Sequence, residues 1–508
     1  MANRSCANVS VGKSGRVAWL AGALASLMAL AGCGGHGESA TDPGPVAEWS
    51  GRLMVEGLPH ERLHGVWREL GGGRYLAVDG MGMAEYVETP GQCYAVPQPL
   101  GFLLSAKLHE SSLLHGHVVD GRETVDIRVI EHLPVSVTLV REEALPAVCL
   151  RPPQTSPAQV FQAMWELFDR DYAFFAERGI DWGERYATYA PRAALAASGE
   201  ALFDVMSAAL QGFDDGHINL LYLSGEEPRV FGSGGGSLSA RMIEQAFLGQ
   251  GEIDDVDLFA ANWAQVLEQQ IGERLEQGGE HDLSGGLLWG RMAGNVGYIR
   301  LTRLSNYAGA EGLVESILSL PDDVARIEAA LDRALAQLAD TDALILDIAH
   351  NDGGHDHVSE AIASRFADRA RLALTKTWRR PDGRAPQAWS VAPRGARQYL
   401  KPVYLLTGDL TVSAAEVLTL MMRTLPHVTH VGMRTQGILS DALIYTLPHE
   451  GFMVSLSDEI YTDPEGLVYE SQGIPPQWDL PLVDETLPET LFSGHAAALD
   501  AIVARIRE

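Results

Sequence analysis

The run Ala343-Leu344-Ile345-Leu346-Asp347-Ile348 is almost entirely apolar, over a length that suits a strand and is short for a helix. A strand apolar at nearly every position is buried on both faces, so helices must cover both sides of its sheet. The neighbouring sequence supplies them. Val324, Ile327, Leu331, Leu335 and Leu338 make one apolar helical face, which Asp322 or Asp323 could cap. Val296-Gly297-Tyr298-Ile299-Arg300-Leu301 reads as a strand before that helix, and Val403 to Leu406 as a strand further on. Strands alternating with helices specify an α/β core.

The last of these strands stops at Thr407-Gly408, and a helix-forming run begins after Ser413. Strand, tight loop and helix leave a lone serine at a helix N-terminus, where unpaired backbone N–H groups can stabilise developing negative charge. Serine is also a common N-cap without chemistry, so position alone leaves both roles open.

Upstream, residues 48–150 read as a small β-rich domain. Tyr75 to Val78 and Val135 to Val140 are β-rich, while Val125-Asp126-Ile127-Arg128-Val129 alternates as a half-buried strand should. Arg151-Pro152-Pro153 and Pro157 mark a linker. Residues 157–224 read as helical, with Val160, Met164, Leu167 and Phe168, then Leu202, Val205, Met206 and Leu210, at helical spacing. The stretch 225–294 gives poor signals, with a Gly/Ser run, an acidic patch and one helix near Ala260 to Glu276, and reads as an insertion. The core then occupies 295–485, and 486–508 form a C-terminal helix.

The first 32 residues have the form of an export signal. Arg4, Lys13 and Arg16 precede an apolar run that ends in Leu30-Ala31-Gly32-Cys33. Small residues before a cysteine imply a bacterial lipoprotein signal, with Cys33 lipidated and 33–47 a flexible tether. Gly34 after the cysteine favours the outer membrane, facing the periplasm. Cys93 and Cys149 are then an even pair in an oxidising compartment and a candidate disulfide. The formal net charge over 508 residues is −29. An acidic surface argues against nucleic acid as a partner.

Acyl-transfer chemistry needs a nucleophile, a base, a group that orients the base, and oxyanion donors. Ser413, His217 and Glu470 fill the first three roles. Backbone N–H groups of Gly353 or Gly354, with Ala414, supply the donors, and Asn351 and Asp352 shape the same loop. Asp215, beside His217, reads as a loop-capping residue. The rival cluster is His350, His355, Asp356 and His357, whose donor types suit a transition metal. No helical H-x-x-x-H spacing supports it, so the expectation is no metal and no cofactor.

Five segments, Phe213–Leu220, Leu346–Gly354, Thr411–Glu416, Gly432–Asp441 and Glu470–Pro476, match in order the landmarks of the tail-specific (C-terminal processing) and tricorn-type serine peptidases. The chain resembles that family from about Pro157 to Leu482, apart from the insertion. The resemblance implies a crotonase/ClpP-like core of ββα units with a helical segment ahead of it. It also implies a peptide or protein substrate. Tail-specific members use a serine–lysine dyad, but Ile438 stands where the lysine would be, and isoleucine cannot accept a proton. Tricorn-type members use serine, histidine and glutamate, and Ser413, His217 and Glu470 fall at the matching motifs. Two departures stand out: Ala349 replaces the family's usual arginine, and no PDZ pattern lies between His217 and Val296. The expectation is a lipid-anchored serine peptidase acting through an acyl-enzyme on small or exposed substrates. The alternative is an inactive crotonase-like protein that binds a peptide or hydrophobic ligand.

Overall fold

The computed structural model describes residues 48–96, 111–225, 227–234, 236–251, 253–309, 319–449 and 451–508. The signal segment, the tether and Cys33 lie outside these residues. No described helix is long and apolar enough to cross a membrane. The fold is mixed α/β with a β-rich N-terminal region.

That region is built on one eight-stranded antiparallel sheet. In chain order its strands are β1 (Trp49–Arg52), β2 (Gly65–Glu69), β3 (Arg74–Val78), β4 (Met83–Glu88), β5 (Cys93–Ala95), β6 (Leu113–Val119), β7 (Arg122–Arg128) and β8 (Val137–Glu142). In space the order is β1-β6-β7-β8-β2-β3-β4-β5. Alternate residues from its middle strands, among them Trp67, Leu76, Val125, Ile127 and Leu139, fill a core of their own. Cys93 of β5 is disulfide-bonded to Cys149, which closes the sheet's last strand onto the following linker. The sheet is docked as well: Tyr94 donates its hydroxyl to Thr446 O at 3.1 Å, and Arg170 donates to Glu88 O at 2.6 Å.

Three helices follow: α1 (Pro157–Asp171), α2 (Trp182–Ala193) and α3 (Gly199–Leu210). Pro157 opens α1 where its missing N–H is harmless, and Asp181 and Ser198 cap α2 and α3 through their side-chain oxygens. Val160, Met164, Leu167 and Phe168 of α1 are all buried, with Leu202, Met206 and Leu210 of α3 in the same cluster. The chain then enters a second sheet through β9 (Asn219–Tyr222), which pairs with β10 (Arg229–Gly232), before α4 (Leu238–Gln250) and α5 (Val256–Gly272).

The main sheet is built from β11 (Glu280–Asp282), β12 (Leu287–Met292), β13 (Val296–Leu301), β14 (Ala343–Asp347), β17 (Val403–Thr407), β18 (Val428–Gly432) and β22 (Trp478–Asp479), adjacent in that order. From β13 to β22 the pairing is parallel. Between these strands lie α6 (Leu320–Gln337), α7 (Asp356–Ala363), α8 (Ala414–Arg423) and the strands β15 (Arg371–Trp378) and β16 (Gln387–Val391). Every residue of β14 is buried, and its faces separate by period two. Leu344 and Leu346 join a cluster with α6, α7 and α8, while Ile345 faces α5 and the C-terminal helix α9 (Thr490–Ile506).

Residues 280–292, within the stretch expected to be an insertion, supply β11 and β12 of this sheet. Six register pairs join β12 to β13. Glycines at 285, 286 and 290 obscure the strand pattern, and pairing with β13 imposes it. The rest of that stretch braces the core too: Ser239 at the start of α4 donates its N–H and hydroxyl to Asp409 at 2.7 and 2.6 Å.

Three further strands complete the frame around the site. The chain leaves β18 through β19 (Ala442–Thr446) and β20 (Phe452–Ser457), then β21 (Glu459–Thr462). β20 pairs with β9, so residues 219–222 and 452–455 form one ladder that bolts the helical unit to the core.

Candidate active site

Ser413 sits past the carboxyl end of β17, in the crevice between parallel strands where α/β sheets place their ligands. The turn before it is fixed by Thr411, whose hydroxyl accepts from Gly408 N–H at 2.9 Å and donates to Ile348 O at 2.8 Å. Ser413 itself has φ 58° and ψ −128°, a region L-residues seldom occupy. Such a conformation costs on the order of 1–3 kcal/mol and persists only where surrounding bonds over-determine it. Here the Ser413 N–H donates to Ile438 O at 3.0 Å, and the Glu416 carboxylate lies 3.3 Å away.

Glu416 is a residue whose role the sequence did not reveal. Fully buried in the first turn of α8, it accepts from Thr435 Oγ1 at 2.6 Å and from the Gly437 and Ile438 N–H groups, both at 2.8 Å. Burial pushes its carboxyl up to about 7, against the pull of those donors. It thereby ties the loop after β18 to the start of the serine's helix.

His217 arrives from the other unit, two residues before β9. Its Nε2 lies 3.2 Å from Ser413 Oγ. Its backbone is clamped at both ends: the N–H donates to Asp215 Oδ1 at 2.9 Å, and the carbonyl accepts from Ser455 Oγ at 2.6 Å. Both His217 and Ser413 are half-buried, open enough for a ligand to reach. Asp215 therefore caps its loop, and its other oxygen accepts from Tyr172 OH at 3.0 Å.

Glu470 is buried in the turn that precedes Gly473. Its Oε2 accepts from the Leu439 and Ser440 N–H groups at 2.8 and 3.1 Å, and its Oε1 accepts from Arg178 Nη2 at 2.6 Å. Burial and the neighbouring Asp215 push this carboxyl up to about 8, with the Arg178 guanidinium opposing them. Arg178 has no sequence signature, being a single arginine in the turn after α1.

Gly353 and Gly354 form the opposite wall. A Cβ on Gly353, whose φ is +85°, would stand 2.7 Å from Ser413 Cβ and 2.8 Å from Val412 O. Only glycine lets the loop approach the serine so closely. The Gly353 N–H is already committed, donating to Asn351 Oδ1 at 2.9 Å, so its role is steric. Asn351 also donates to Leu301 O at 2.9 Å, and its own carbonyl takes the Val412 N–H. Gly354 lies against the Leu304 backbone, where a Cβ would be 2.4 Å from Leu304 C. Ala414 is the first residue of α8 and has no carbonyl one turn back for its N–H.

Ile438 stands where a dyad lysine would, and its side chain packs toward Gly216 beneath the histidine loop. Ala349, in place of the family's arginine, is fully buried in the apolar cluster on the α9 side of the sheet. The four residues of the rival metal cluster diverge. His350 rests against Trp263 and His495, while His355 lies 3.9 Å from Asp323. His357 meets Trp389 edge-on, and Asp356 accepts from Lys376 and Tyr461, both at 2.7 Å. Another acidic trio, Asp356, Asp441 and Glu459, brings its oxygens within 4.8 Å of one another. The Lys376 ammonium sits among them, 2.7 Å from Asp356 and 3.0 Å from Glu459.

A serine on a strained strand-to-helix turn, facing a histidine nitrogen, is an arrangement that serine-type hydrolases use. Residues 295–480 match the sequence model of Peptidase family S41, and residues 153–211 match that of the Tricorn protease C1 domain. Among solved structures, the chain is similar to a candidate peptidase from Parabacteroides merdae ATCC 43184. The two are 23% identical at a TM-score of 0.50, covering 69% of this chain and 98% of that one. It is similar also to mature CPAF complexed with lactacystin (13% identity, TM-score 0.47, 69% and 98% covered). A third is the photosystem II D1 C-terminal processing protease (15% identity, TM-score 0.38, 68% and 97% covered). The first of these, at 23% identity, is a likeness of fold. In the two stretches 153–211 and 295–480 the chain is similar to the tail-specific and tricorn-type serine peptidases, and the matches support a serine peptidase.

Proposed function

We propose that the chain cleaves peptide bonds by a serine–histidine–glutamate mechanism. The observation that carries this reading is the 3.2 Å approach of His217 Nε2 to Ser413 Oγ, with the serine held at positive φ. His217 takes the hydroxyl proton as Ser413 Oγ attacks the scissile carbonyl, and the new oxyanion is stabilised by the Gly354 and Ala414 N–H groups. The proton then passes to the leaving amine as the C–N bond breaks, leaving an acyl-serine. Water, deprotonated by His217, hydrolyses that ester and restores the enzyme. Glu470 serves the histidine as the buried third carboxyl. No cofactor enters any step. With no recognisable PDZ pattern to capture chain ends, small or exposed peptides suit this site better than processive degradation from a C-terminus.

The signal-like first 32 residues, ending before Cys33, support export and lipid anchoring facing the periplasm. Labelling by a fluorophosphonate probe tests the chemistry, with Ser413→Ala and His217→Ala alongside. The expected result is labelling of the wild type that both substitutions abolish. A folded wild type that takes no label would overturn the peptidase mechanism and favour a ligand-binding protein.

A further inference from the structure

His217 and Ser413 belong to different parts of the molecule, and something must hold the two parts in register to within a fraction of an ångström. The β9–β20 ladder lies on one side of His217. On the other side Arg178 ties the histidine's loop to the core. Arg178 is buried, with side-chain exposure of 5%, and both terminal nitrogens of its guanidinium donate hydrogen bonds. Nη1 donates to Phe213 O at 3.3 Å and to Asp214 O, the two carbonyls just ahead of the histidine's loop. Nε lies 3.6 Å from Asp215 Oδ2. Nη2 donates to Glu470 Oε1 at 2.6 Å and reaches Gly437 O at 3.4 Å. Gly437 adjoins Ile438, whose carbonyl holds the Ser413 N–H.

We propose that Arg178 is the positioning residue of this site. Its planar fork fastens the histidine's loop to the Glu470 turn and to the loop that holds the serine. The proposal rests on the serine–histidine–glutamate reading above. Geometry favours arginine specifically, because one lysine ammonium is a point charge and cannot span carbonyls and carboxylates in several directions. Arg178 has a second effect on the same groups. It lies between the buried carboxyls Asp215 and Glu470, so it sets how readily Glu470 ionises. The charged and titratable groups that face Glu470 are Arg178 from the turn after α1, Asp215 from the loop before β9, and Glu416 from α8, with Tyr172 bonded to Asp215.

The test is the rate of fluorophosphonate labelling of the full chain against pH, for wild type, Ser413→Ala, Arg178→Met, Arg178→Lys, and Arg178→Met combined with Glu470→Gln. Thermal melts accompany each. Arg178→Met should slow labelling roughly 100-fold, the scale of a misplaced catalytic group. Its acid limb should move to higher pH, because Glu470 loses the cation that favours its charge. Arg178→Lys should restore the limb while recovering only part of the rate. In the Glu470→Gln background the Arg178→Met shift of the limb should vanish. A merely structural arginine would lower the melting temperature without moving the limb. Wild type that does not label, or Ser413→Ala that does, would sink the serine mechanism and this proposal with it. If wild type labels, Ser413→Ala does not, and the Arg178 variants match wild type in rate and limb, the positioning role alone is overturned. Should Arg178→Met fail to fold, the lysine variant decides: full wild-type rate excludes the fork.

Discussion

Two histidines of the described residues, His495 and His217, stand near buried carboxyls to very different ends. On the α9 side of the main sheet, His495 Nε2 lies 2.8 Å from Asp347 Oδ2, which also accepts from Tyr298 OH at 2.6 Å. Burial works against the charge on Asp347, yet the His495 ring holds its carboxyl well below the usual range. This is a direct histidine–carboxylate contact. It is also sealed, with both side chains at most 3% exposed, and it joins the end of β14 to α9. On the opposite side His217 is half-buried, and beside it stand a strained serine and a glycine wall. A close histidine–carboxylate contact is thus a fastening device in one place. Chemistry needs in addition a reactive oxygen, open space and unspent N–H donors.

The comparison predicts opposite phenotypes for the two histidines. His217→Ala should lower the fluorophosphonate labelling rate by roughly 10⁴-fold or more, while shifting the melt little. His495→Ala should leave a buried carboxylate without its partner and remove about 3–5 kcal/mol of stability, measurable by denaturant titration, with labelling of the folded fraction retained. Reversed results would exchange the roles assigned to the two sites.

A smaller effect is expected from the glycine wall. Gly353→Ala forces a methyl group against Ser413 Cβ and Val412 O at a positive φ, so labelling should fall about 100-fold, with roughly 1–3 kcal/mol of stability. Unchanged labelling would mean that the loop stands further from the serine in solution.

The smallest effects are on the pH dependence of stability, and the two sites differ in sign. Glu470 is held at about 8 against an ordinary 4.5. Between those values the folded chain keeps a proton that the unfolded chain releases, so its contribution to stability falls as pH rises through that window. Glu470→Gln should flatten the decline. His350, beside His495, is depressed well below its ordinary 6.5, first by burial and then by the neighbouring His495. The unfolded chain binds that proton first, so stability should be lost as pH falls below about 6.5, and His350→Gln should reduce the loss. Melting temperatures across pH 4.5 to 9 check both, and equal slopes in variant and wild type would remove the assignment.

Much of this architecture was legible locally. The apolar run at β14 declared a doubly covered strand because neither face could meet water. Helices α1, α3 and α6 showed their buried faces at helical spacing. The serine at the head of α8 was visible as a break between strand and helix, and Gly353 as a residue without a Cβ beside it. The strands β11 and β12 were not legible. Their glycines blur the pattern, and only pairing with β13 makes them strands. The Asp347–His495 pair could not be read either, since Asp347 was one charged residue in an apolar run and His495 one polar residue in an ordinary helix.

By itself, the sequence determined what depends on near neighbours: which segments extend, which coil, which face turns inward, and where a serine could cap a helix. The tertiary structure alone decided which distant groups converge. Arg178 carries no mark of His217, Ser413 or Glu470 in sequence, and it reaches their loops because the β9–β20 ladder and the main sheet close long loops around one crevice. The physical reason is that side-chain chemistry acts over about 3 Å in space, whereas sequence patterning encodes backbone shape and burial over a few residues.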